Sequence, residues 1–289
     1  HLRIDAECAH CLPDQCRRVW HGAHQFDLFS KSLLDRIDRL TGSNRDDDTA
    51  VLDGTCDLRD DLGKFVWFYS EKQNITAFCN GFIGERGLNG EPGAYLFKFA
   101  GEYAAHAKHD PNSWEAALSE AAFMTGLERN ADVVYQATYA PLFAHVEGWQ
   151  WRPDLIWFDN LSSVRSANYY VQQLYGENKG TNVLKLTENG KAVAGENGLY
   201  ATACFDKATK SYIVKIANTS NEAKEINVTF NGIKKLNPGK VTVLHADDIQ
   251  AENKIDNKNV VVPVVSDAQV QGNVLNVKMK PNSFVVYRF

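Results

Sequence analysis

Nowhere does this 289-residue sequence approach the roughly 18 unbroken apolar residues that a membrane-spanning helix needs. It also has no basic stripe, and its formal net charge is −5. The first absence argues against an α-helical membrane segment, the second against nucleic acid as a partner. The chain begins with His1 rather than Met, without the basic start, apolar run and small-residue cleavage site of a signal peptide. A processed chain or a fragment is therefore expected. Cysteine is scarce where most of the chain lies: Cys8, Cys11, Cys16, Cys56 and Cys79 precede residue 95, and Cys204 alone follows it. The split sets residues 1–94 apart as an unassigned segment.

That segment shows poor apolar periodicity. A short helix is expected over Phe26–Leu40, strands over Phe65–Ser70 and Ile75–Cys79, and a glycine-rich loop over Gly81–Gly93. Cys8-x-x-Cys11 with Cys16, His21 and His24 superficially offers zinc ligands. The spacing fits no standard finger, and no metal site is assigned.

From about residue 95 the character changes. Tyr95–Ala100 is an apolar, aromatic run that breaks off at Gly101-Glu102-Tyr103. A buried parallel strand delivering a carboxylate to the mouth of a barrel reads this way. Read locally, a structural Glu paired with Arg is the commoner alternative. A helix follows over Trp114–Asn130, with Asn112 as cap, Glu115 in the capping-box position, and an apolar face of Ala117, Leu118, Ala121, Ala122, Met124 and Leu127. Ala131–Tyr139 is read as continuing helically, Leu155–Phe158 as a second buried strand closed by Asp159-Asn160, and Ala167–Tyr175 as a further helix. Residues 95–185 thus supply about two βα units. A complete (β/α)₈ barrel takes about 250 residues, so only the end of one fits.

After Gly180 the period switches to two. Short strands are expected over Leu199–Phe205, Ser211–Asn218, Glu225–Phe230, Lys240–His245, Val260–Val265, Val274–Met279 and Ser283–Phe289. They are separated by turn signals at Asp206-Lys207, Asn231-Gly232, Asn237-Pro238-Gly239, Gly272-Asn273 and Pro281-Asn282. An antiparallel β-sandwich over 186–289 is the expectation. The fold class is α/β plus all-β, the end of a TIM barrel followed by a sandwich.

Many motifs in one register carry a resemblance. They are Gly101-Glu-Tyr-Ala104, Trp114-Glu-Ala-Ala-Leu118, Ala122-Phe-Met-Thr-Gly-Leu-Glu-Arg-Asn130, Tyr139-Ala-Pro-Leu-Phe143, Gly148-Trp-Gln-Trp151, Pro153–Asn160 and Tyr169–Leu174. The stretch from Phe97 onward resembles the α-L-arabinofuranosidases of glycoside hydrolase family 51. The resemblance implies retaining hydrolases on a (β/α)₈ barrel that release terminal α-L-arabinofuranosyl groups from arabinan- and arabinoxylan-type plant polysaccharides and oligosaccharides. It implies no cofactor and no metal, and it favours a secreted or periplasmic location. Whether the chain forms homo-oligomers is left open. By the same resemblance Glu102 maps onto the nucleophile. The family's acid/base is a Glu preceded by Asn on an earlier strand. The single Asn-Glu pair here, Asn221-Glu222, lies after Glu102 and between sandwich strands, so no acid/base is carried over. Residues 1–94 are accordingly read either as a foreign or out-of-frame stretch or as a diverged part of the barrel.

Four further residues are weighed as substrate contacts. Trp149 and Trp151 offer flat faces to a sugar, against packing of a helix on the barrel. Trp157, within the strand, is read as core. Asp159 offers a hydrogen bond to a substrate hydroxyl, and Asn160 either that or a helix N-cap. His106 and His109 follow the carboxylate, as sugar contacts or as solvated loop residues. The glycosylation sequons Asn74, Asn218 and Asn227 bear only on a secreted eukaryotic protein.

Overall fold

A computed structural model describes residues 1–6, 103–105, 107, 112–132, 134 and 136–289 with their side chains, and the backbone course of 17–18, 65–70, 75–85, 94–102 and 135. The expected helix over Phe26–Leu40, the Cys8/Cys11/Cys16/His21/His24 group, His106, His109 and Asn74 lie outside the described residues.

Strands β1 (Leu2–Asp5), β2 (Arg17–Arg18), β3 (Phe65–Ser70), β4 (Ile75–Glu85) and β5 (Ala94–Ala105) precede helix α1 (Trp114–Arg129). Strands β6 (Val134–Tyr139), β7 (Phe143–His145), β8 (Ile156–Phe158) and β9 (Ser163–Arg165) separate it from helix α2 (Ala167–Glu177). After α2 come β10 (Asn182–Leu184), β11 (Leu186–Glu188), β12 (Lys191–Ala192), β13 (Leu199–Asp206), β14 (Ser211–Asn218) and β15 (Lys224–Asn231). The chain ends with β16 (Lys240–His245), β17 (Val264–Asp267), β18 (Gln269–Gln271), β19 (Val274–Met279) and β20 (Ser283–Arg288).

The C-terminal part is all sheet. A six-stranded sheet, in the order β12-β11-β1-β15-β19-β18, faces a seven-stranded one, β17-β16-β20-β14-β13-β10-β2. Ile4, Phe230 and Leu275 of the first close on Val214, Ile216 and Tyr287 of the second. The other face of the seven-stranded sheet presents Cys204, Ile213, Ala217, Phe284 and Val286 to Trp114, Ala121, Val171 and Leu174 of the two helices. With both faces covered, β14 is buried continuously from Ile213 to Asn218, and polar alternation disappears along it. The order is therefore sheet, sheet, helices. Tyr175 of α2 stacks on Phe284 with centroids 5.5 Å apart, fastening the last two layers.

Turn chemistry sets the breaks. Asn189-Gly190 joins Glu188 to Lys191 with both residues left-handed (φ 50° and 80°). A two-residue hairpin of this hand favours Asn-Gly because Gly has no Cβ and Asn tolerates positive φ. Strand β1 has no counterpart in the sequence reading. Leu2 and Ile4 are fully buried while Arg3 is exposed, and β1 pairs parallel with β15 and antiparallel with β11.

Nearer the front several expectations need correction. The strand expected over Tyr95–Ala100 runs on to Ala105. The expected loop over 81–93 is strand as far as Glu85. The expected helix over Ala131–Tyr139 is strand β6: α1 stops at Asn130, whose backbone N–H and side-chain amide both donate to the Gly126 carbonyl (3.1 and 2.8 Å). The following Val134-Tyr135-Gln136-Ala137-Thr138-Tyr139 is β-branched and aromatic, which suits a pleated surface better than a helix. Strand β5 pairs parallel with β6 but antiparallel with β4, so the β3-β4-β5-β6 sheet is mixed rather than the all-parallel wall of a barrel. Strand β8 sits in a separate three-stranded sheet, parallel to β7 and antiparallel to β9, and not beside β5. No closed barrel is present among the described residues.

Candidate active site

Glu102 lies on β5, and its side chain is outside the described residues. Its backbone setting is described. Ala100 pairs with Cys79 and Tyr103 with Ala77, so Gly101 and Glu102 together oppose the single residue Phe78. On the other side the register slips over the same interval, between Ala100↔Ala137 and Tyr103↔Tyr139. Glu102 thus occupies a β-bulge, a device that bends a strand and re-aims a side chain, common beside active sites.

The residues after the bulge are held by a buried polar network. The Tyr103 hydroxyl donates to Gln172 Oε1 at 2.6 Å. Gln172 Nε2 donates to Glu120 Oε2 at 3.1 Å. Glu120 Oε1 also accepts from the Ala105 backbone N–H at 2.9 Å and from Asn168 Nδ2 at 2.8 Å. Asn168 Oδ1 accepts from Asn112 Nδ2 (3.1 Å), which also donates to the Asp154 carbonyl (2.9 Å). Asn112 Oδ1 in turn accepts from Trp157 Nε1 (3.0 Å) and the Asp154 backbone N–H (3.2 Å). One chain of bonds therefore runs from the bulged strand through both helices to β8.

Asn112 is the pivot rather than a cap. The N-cap is Ser113, without a side-chain bond, and the first N–H groups of α1 donate instead to the carbonyls of Ala251 and Ile249, 2.8 Å each, on the loop after β16. The desolvation of Glu120 pushes its carboxyl up to about 8, against the stabilising donations from Ala105, Asn168 and Gln172. Burial, and then the charge of Glu120, push the Tyr103 hydroxyl far above the ordinary tyrosine range.

The aromatic candidates form a second group. Trp149 and Trp151 are exposed (48% and 60%), while Trp157 is buried as expected. Trp149 meets Trp157 edge to face at 6.3 Å. The Arg152 guanidinium lies 5.5 Å from the Trp149 ring and 5.0 Å from that of Trp157. Arg152 is tied to Glu252 at 3.2 Å, on the same loop that caps α1.

Asp159 turns inward on its own hairpin. Its Oδ1 accepts from the N–H groups of Leu161 (2.8 Å) and Ser162 (2.6 Å), and these donations hold its carboxyl below the ordinary range. Asn160 is exposed in that hairpin and caps no helix; the N-cap of α2 is Ser166, whose Oγ accepts from the Tyr169 N–H at 3.1 Å. Glu222 of the Asn221-Glu222 pair is exposed between β14 and β15, remote in sequence and sheet from β5. Asn218 is buried and bonded to the Glu222 and Lys280 carbonyls (2.8 and 2.9 Å).

Glu120, Asn168 and Gln172 were not picked out by the sequence reading. The available signal was a charge inside an apolar stripe: Glu120 stands between Leu118 and Ala121-Ala122 on the buried side of α1. Among the described residues no group of three or more His, Cys, Asp or Glu is gathered as for a metal ion, and no helix is long and apolar enough to cross a membrane.

The sequence model of the α-L-arabinofuranosidase C-terminal domain family matches residues 96–283. An extracellular exo-α-L-arabinofuranosidase of Streptomyces chartreusis is 58% identical over 86 residues, 30% of this chain and 10% of that protein. A probable α-L-arabinofuranosidase A of Aspergillus terreus is 37% identical over 173 residues, 59% of this chain and 26% of that protein. Among solved structures, the arabinose-bound α-L-arabinofuranosidase MgGH51 is similar with a TM-score of 0.59 and 28% identity, over 70% of this chain and 33% of that one. The chain thus spans about a quarter of the Aspergillus relative. With the family model matched across both helices and most of the two facing sheets, the chain belongs to the α-L-arabinofuranosidase C-terminal domain family.

Proposed function

We propose that the protein is a retaining glycoside hydrolase that releases terminal α-L-arabinofuranosyl groups from arabinan- and arabinoxylan-type plant polysaccharides and oligosaccharides, with Glu102 as nucleophile. The observation that carries this reading is the family match beginning at residue 96, which takes in a Gly-Glu-Tyr set on a β-bulge. In the first half-reaction the Glu102 carboxylate attacks the anomeric carbon, and the glycosidic oxygen leaves with a proton from an acid. In the second, water activated by that same group displaces Glu102 and restores its carboxylate. The acid/base is not assigned to a residue of this chain. Residues 95–185, with strands β5 and β6 and the intervening α1, are read as the C-terminal part of a (β/α)₈ barrel. Trp149, braced by Arg152, and Trp151, both exposed, are read as a sugar-stacking wall. Asp159 and Asn160 are the weaker contacts, since Asp159 already serves its own turn. A secreted or periplasmic location is favoured by the extracellular Streptomyces relative.

A second reading, a carbohydrate-binding or structural segment without turnover, is favoured by the exposed position of Glu222, the Glu of the single Asn-Glu pair, between sandwich strands. The two separate on an arabinofuranoside with a very good leaving group, which needs little acid catalysis in the first step. A burst of leaving group matching the enzyme concentration supports the hydrolase. Binding of arabino-oligosaccharide without any release supports the alternative.

A further inference from the structure

Strand β5 leaves the bulge as Tyr103-Ala104-Ala105, all three buried. Two of the three are tied to one carboxyl group. Glu120 accepts the Ala105 N–H directly (2.9 Å) and reaches the Tyr103 hydroxyl through Gln172 (3.1 and 2.6 Å). The Tyr103 ring is itself wedged between Phe123 of α1 (5.5 Å) and Tyr139 of β6 (5.8 Å), so it cannot turn away without breaking two ring contacts. Glu120 is also fully buried, on a helix whose other buried residues are mostly apolar, among them Trp114, Ala117, Leu118, Ala121 and Ala122. A Gln would keep an acceptor for the Ala105 N–H and Asn168 Nδ2 without the desolvation of a carboxyl.

We infer that Glu120 is the positioning residue of the catalytic strand: it sets where the Gly101–Glu102 bulge ends, and through Asn168 and Asn112 it links that position to Trp157 and the Arg152–Trp149 pair. This rests on the reading of Glu102 as nucleophile. The predicted consequence is geometric. A nucleophile displaced by about 1 Å loses on the order of 10²-fold in rate, while binding of the sugar, made by other groups, is little changed.

The test uses the full-length gene product and a slow 2-fluoro-arabinofuranoside that traps the glycosyl-enzyme. The trapping rate, the labelled peptide and the dissociation constant for free arabinose are measured for the parent, Glu120→Ala, Glu120→Gln and Gln172→Leu. The expected result is a label on Glu102, trapping slowed about 10²-fold in Glu120→Ala and about tenfold in Gln172→Leu, recovery of most of the rate in Glu120→Gln, and an arabinose affinity within about threefold of the parent throughout. Gln172→Leu cuts one leg of the network only and keeps the test open should Glu120→Ala fail to fold. A label on Glu102 at parental rate in both Glu120→Ala and Gln172→Leu overturns the inference and leaves the nucleophile standing. A parent that takes no label, or takes it on another residue, overturns the reading of Glu102 and the inference together.

Discussion

A buried ion pair on the opposite end of α1 offers the sharpest energetic test of the layer arrangement. Lys215 of β14 is fully buried, and its Nζ lies 2.6 Å from Glu128 Oε1, whose side chain is 8% exposed. The ammonium also sits 3.6 Å from Cys204 Sγ and 5.2 Å from the Tyr175 ring. Burial opposes the charge on Lys215, but Cys204 and Glu128 beside it hold its ammonium above the ordinary lysine value. Burial, with Glu128 adding to it, pushes the Cys204 thiol up to about 12, so it is neutral at pH 7. Glu128→Ala would leave a desolvated ammonium with no carboxylate, a loss of about 3–5 kcal/mol. For a unit of this size that is a fall of roughly 10 °C in Tm. The double variant Glu128→Leu/Lys215→Met removes both charges and fills the space, and should be within about 1 kcal/mol of the parent or more stable. Urea unfolding followed by tryptophan fluorescence reads all three proteins. A loss below about 1 kcal/mol in Glu128→Ala, or a double variant as unstable as the single, would refute a dry interface between the seven-stranded sheet and α1.

Asn112→Ala strands the Trp157 indole N–H, the Asp154 backbone and Asn168 Oδ1 at once, and should cost about 3 kcal/mol or more, seen as loss of near-UV circular dichroism from the tryptophans before global unfolding. The carboxyl of Glu120, raised from 4.5 to about 8, gives a stability that is complete below pH 4.5 and falls as pH rises toward 8, because the folded state then resists ionisation. Relative to Glu120→Gln, the parent should lose a few kcal/mol over that window; parallel urea midpoints from pH 5 to 8 would contradict the buried assignment. Trp151→Ala should weaken binding of an arabino-oligosaccharide by about tenfold with little change in Tm, since the ring is exposed; isothermal titration checks it.

The legibility of the chain followed how local each signal was. The hairpin strands Ser211–Asn218, Lys240–His245 and Val274–Met279 were read at their observed limits, because turn residues bound them on both sides. Strand β1 was not legible, since two buried residues in a four-residue strand make no periodic pattern and its partners lie more than 180 residues away. Val134–Tyr139 does not stand out as a strand because the apolar face of α1 leads into it without a glycine or proline, although its own residues favour one. In the candidate site, Glu102 was visible as a carboxylate breaking an apolar run. The network behind it was not, because Glu120, Asn168, Gln172 and Asn112 converge only when two helices pack. Asn112 looked like a cap since Asn favours that role; here a loop 140 residues downstream supplies the capping carbonyls.

The central claim is that Glu102 is the group that becomes glycosylated. Trapping the full-length gene product with a 2-fluoro-arabinofuranoside, followed by peptide mass mapping, tests it most directly. One arabinofuranosyl unit on Glu102 is predicted, with no adduct and a loss of turnover of several orders of magnitude in Glu102→Gln, which is isosteric but cannot attack. A label on any other carboxylate, or near-parental turnover by Glu102→Gln, would contradict the account.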